Sequence, residues 1–65
     1  ANKDFVEPVY NMACAYAKMK DQSKAISVLK KAYALNPQVI LWAVQDPDLE
    51  NLRGNREFDE IIHAQ

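Results

Sequence analysis

A single cysteine rules out an internal disulfide, and one cysteine with one histidine falls short of the four ligands of a structural zinc site. One glycine and three prolines are too few for a fold of many short strands and tight turns, and suit helices better. No segment stays apolar for the ~20 residues that a membrane-crossing helix needs. No charged start followed by a long apolar run marks a signal peptide. Glycine-rich phosphate loops and metal-ligand spacings are likewise missing. The net charge of −1 gives no general pull toward nucleic acid or an anionic membrane.

Size adds a further constraint. A chain this short buries only about 60% of the surface its unfolded form exposes, so its stability is marginal without help. With disulfides and metal set aside, the remaining helpers are protein partners or further chain. The first residue is alanine rather than methionine, which leads us to expect a fragment or a processed product. The unpaired cysteine favours a reducing compartment, the cytoplasm or an organelle interior.

What is present is globular in character: 49% apolar and 26% charged. The densest stretch is residues 9–19, where nine of eleven side chains are apolar or aromatic and only Asn11 and Lys18 are plainly polar. At the helical period these positions go nearly all the way round, so this helix must be covered on more than one side. Ala13, Cys14, Ala15, Ala17 and Ala25 would let neighbouring backbones approach closely.

In chain order, residues 1–7 read as a lead-in, extended or loosely turned, because Pro8 biases Glu7 away from helical dihedrals. A first helix is expected over about 8–19 with Pro8 at its favoured first position. Asp21 caps a second helix over about 22–35. There Ala25, Leu29 and Ala32 face the first helix, Ile26, Val28 and Tyr33 widen the stripe, and Ser23, Lys24, Ser27, Lys30 and Lys31 face water. Asn36-Pro37 stops it. Val39–Val44 is a continuous apolar run with strand-like β-branching. The chain offers no strand to pair with it, so a short helix over about 38–45 is expected. Asp46 then caps a turn of helix carrying Leu49 and Leu52. Gly54 makes the next turn, and Asn55 caps a last helix over about 56–64 with Phe58, Ile61 and Ile62 on one narrow side. The three parts are thus a lead-in (1–7), a helical hairpin (8–37) and a C-terminal cap (38–65).

Charge divides along the same lines. Residues 18–31 carry five lysines against Asp21, and residues 46–60 carry six carboxylates against Arg53 and Arg56, or +4 and −4. The acidic tail reads as a solubilising cap.

Within residues 6–39 the spacing resembles the tetratricopeptide repeat, a 34-residue helix–turn–helix unit. Val9 stands in the Trp place of its pattern, Met12 in the Leu place and Ala13 in the Gly place, and Tyr16 is identical. Ala25 is identical, Leu29 replaces Phe, Ala32 is the usual small residue, and Pro37 closes the unit. Val9 is smaller than the family's aromatic, which weakens packing toward an upstream neighbour. Lys20 stands where many repeats have Gly, which implies a looser turn. The segment from Asp46 to Phe58 is similar to the one that often closes bacterial and organellar arrays of this kind.

The resemblance implies an all-α fragment of a right-handed α-solenoid that acts by protein–protein contact. Its partner would be a protein or peptide, or upstream repeats of the same parent chain. The concave face carried over from the family comprises Glu7, Tyr10, Asn11, Cys14 and Lys18, and the seam toward upstream chain or partner comprises Phe5, Val6 and Val9. Tyr10 and Cys14 stand where the carboxylate-clamping subclass has a Lys and Asn pair, so this chain alone lacks that clamp. The resemblance implies no cofactor.

Other readings carry less. A nucleic-acid patch on Lys24, Lys30 and Lys31 would make the chain a helical-repeat RNA binder, yet these lysines lack interleaved aromatics or arginines. Cys14 lies mid-helix among alanines rather than beside a cation, and reads as a packing residue and not a nucleophile with His63. No catalytic or metal-binding set is expected. Trp42 reads as a core plug and Tyr16 as a core residue.

Overall fold

The computed structural model describes residues 3–63, with side chains from Val6 onward. Helix α1 (Lys3–Lys18) and α2 (Gln22–Leu35) form a hairpin; α3 (Val39–Ala43), a 3-10 helix (Pro47–Leu52) and α4 (Arg56–Ile62) follow. No strand occurs among the described residues; the apolar run forms a short helix rather than a strand, over Val39–Ala43 and so shorter than the expected 38–45, with Val44 in the turn that follows. The fold is all-α.

The first helix begins earlier than Pro8 predicts. Residues 3–7 are helical, and Pro8 lies inside α1. Proline lacks the N–H that would bond the carbonyl of Asp4, and its ring disfavours helix at Glu7. Tertiary packing outweighs these local costs. Continuing the helix upstream carries Val6 into the core, where it is 2% exposed.

The α1–α2 turn is tight despite lacking glycine. Lys20 takes a left-handed backbone (φ 63°). Its N–H bonds the Ala17 carbonyl at 2.9 Å, and the Asp21 N–H bonds the Tyr16 carbonyl at 2.9 Å. This paired bonding satisfies the last carbonyls of α1 in the Schellman manner. The lysine does not loosen the turn; it holds a conformation that a Cβ disfavours by roughly 1–2 kcal/mol. Asp21 then accepts from the Lys24 N–H and starts α2. Ala13, Ala17, Ala25, Leu29 and Ala32 are fully buried between the two helices. The small side chains allow the close approach that their spacing suggests.

The rest of the core comes from the tail. Of the six largest fully buried side chains, only Leu29 belongs to the hairpin; Val39, Ile40, Leu49, Leu52 and Phe58 all follow Pro37. Each such side chain contributes on the order of 1.5–3 kcal/mol by leaving water, so the hairpin depends on its tail for most of its bulky core. Local caps fix the tail's path. Asp46 accepts from the Asp48 N–H, and Asn55 accepts from the N–H groups of Glu57 and Phe58. Gly54 has φ 89° and open space where a Cβ would sit, so its backbone and not crowding calls for glycine.

Candidate interaction surface

The hairpin has two long flanks. On the inner flank, Tyr10 and Cys14 on one side of α1 meet the loop before the 3-10 helix. Tyr10 Oη donates to Asp46 Oδ2 at 2.7 Å, and Cys14 Sγ lies 3.7 Å from the same oxygen. Both residues are 7% exposed. The Trp42 ring meets Tyr10 edge-on with centroids 5.3 Å apart. Lys18 pairs with Asp48 at 3.5 Å. Asn51 donates to the Ala17 carbonyl, Gln22 to the Asn51 carbonyl, and Asn55 to the Gln22 side chain. Lys30 pairs with Glu57 at 3.1 Å.

The electrostatics of this knot follow from its burial. Desolvation pushes the Tyr10 hydroxyl well above the usual tyrosine value, and the bond to Asp46 adds to it. Desolvation, with the charges of Asp46 and Asp48 behind it, pushes the Cys14 thiol up to about 11. Desolvation also works to raise Asp46, but hydrogen bonds from Tyr10, the Asp48 N–H and Cys14 outweigh it and hold this carboxyl below its ordinary value. At neutral pH the site is therefore one carboxylate held by two neutral donors. A protonated thiol of this kind is a poor nucleophile. Cys14 Sγ and carboxylate oxygens of Asp46 and Asp48 lie within 4.8 Å of one another. Such a set could ligate a metal, yet Tyr10, the Asp48 N–H and Lys18 already occupy its carboxylates.

This geometry revises the concave face carried over from the repeat family. Glu7 and Asn11 are exposed and Lys18 is exposed but paired, whereas Tyr10 and Cys14 are closed over by the molecule's own tail. The seam changes too. Val6 belongs to the core, Val9 is half-buried, and the Phe5 side chain lies outside the described residues. Trp42 is a rim residue, 36% exposed, rather than a plug, because the five-residue α3 holds it at the margin of the core. Tyr16 is half-buried and Lys24 Nζ sits 5.8 Å above its ring. The sequence predicts only a cap at Asp46; its second oxygen also ties the tail to α1. The opposite charges of residues 18–31 and 46–60 are the visible trace of this docking, since Lys18–Asp48 and Lys30–Glu57 join those two segments.

The outer flank is open. Met12 is 49% exposed, and Pro8, Ala15 and Met19 are exposed on the same side of α1 at helical spacing. A second apolar opening, a hollow of about 230 Å³, lies between the end of α2 and α3, lined by Tyr33, Pro37, Gln38, Ile40 and Leu41. No described helix is long and apolar enough to cross a membrane.

Among characterised proteins the chain is similar to a chloroplastic protein of Arabidopsis thaliana, with 34% identity over 53 residues. The match covers 82% of this chain and 16% of that protein, so the chain spans about a sixth of the relative's length. No protein-family profile and no solved structure matches the chain.

Proposed function

We propose that the chain is a protein-interaction unit, either the closing part of a tetratricopeptide-type helical stack or a small subunit held in a larger assembly. The observation that carries this reading is the contrast between the flanks of the hairpin: one is sealed by a tail with a charged exterior, the other presents Met12, Val9 and Tyr16. One hairpin and a cap fall short of the three or so units a stack needs to stand alone. The agreement of residues 6–39 with the repeat pattern supports the same reading. So does similarity to one stretch of a much longer protein. That relative is named chloroplastic, which favours an organelle interior for this chain.

In this reading the unit performs no chemistry of its own. Its one thiol is held protonated, and its buried carboxylate serves as a structural tie. The nucleic-acid reading is weaker because Lys30 is engaged by Glu57 and Lys24 by Asp21. It would be revived by salt-dependent binding of single-stranded RNA that Lys30→Glu and Lys31→Glu remove.

Thermal unfolding of the chain alone, by circular dichroism with sedimentation, tests the need for a partner. A low, broad transition is expected. A cooperative, monomeric transition above about 60 °C, high in the mesophile range, would overturn it.

A further inference from the structure

We draw no further inference here: the strongest candidate, the apolar hollow of about 230 Å³ between the end of α2 and α3 that Tyr33, Pro37 and Leu41 help to line, carries nothing because nothing in the structure shows what covers it.

Discussion

Both flanks of the hairpin are rich in apolar side chains, yet one is sealed and the other is not. On the sealed flank, large side chains of the tail fill the space and polar groups are matched individually: Asp46 to Tyr10 and Cys14, Asp48 to Lys18, Asn51 to the Ala17 carbonyl. On the open flank Met12 and Met19 remain exposed. The difference teaches that hydrophobicity alone does not place a cover. The cover also brings partners for the polar groups that it removes from water, since unpaired buried groups cost more than paired ones return.

Substitutions should separate the flanks by size of effect. Phe58→Ala on the sealed side should cost about 3–5 kcal/mol, enough to leave the chain largely unfolded at 25 °C by circular dichroism. If the chain melts as before, the tail is not what holds the hairpin.

Asp46→Ala should come next, at about 1–3 kcal/mol, because it leaves the Tyr10 hydroxyl without its acceptor. The pH dependence gives an independent reading. The Asp46 carboxyl is held below its ordinary value in the fold, so its contribution is present above the unfolded-chain value and disappears as pH falls through the folded one. Tyr10 and Cys14 are shifted upward, so their contribution is full below the unfolded values of 9.0 for cysteine and 10.0 for tyrosine, and declines as pH rises past them. Unfolding midpoints in denaturant should therefore fall at both extremes. Tyr10→Phe should flatten the alkaline limb more than the acid one.

Lys20→Gly removes a left-handed Cβ and should raise stability by about 1 kcal/mol, or about 4–8 °C in Tm for a domain of this size. The smallest effect belongs to the open flank. Met12→Gln should stay within about 0.5 kcal/mol in the chain alone, and a larger loss would mean that this flank is covered in the free molecule.

Much of the fold was legible where signals are local. Helix α2 runs from Gln22 to Leu35 as Asp21 and Asn36-Pro37 foretell, and Asn55 caps the last helix as its position suggests. The start of α1 was not legible, because the restriction at Pro8 is local while the burial of Val6 that overrides it depends on the assembled core. The candidate surface was half legible. Residues at 3–4 spacing on α1 could be sorted into faces, but which face the tail would close depends on Tyr10 meeting Asp46, thirty-six positions away. No periodicity reports a contact of that range.

Trp42, the chain's one tryptophan, touches Tyr10 at the place where the tail meets the first helix. The molecule therefore carries its own optical gauge. If the tail lifted while the helices persisted, indole emission would move toward longer wavelength before any change in far-ultraviolet ellipticity. Detachment and melting would then be separable in one cuvette without an attached dye.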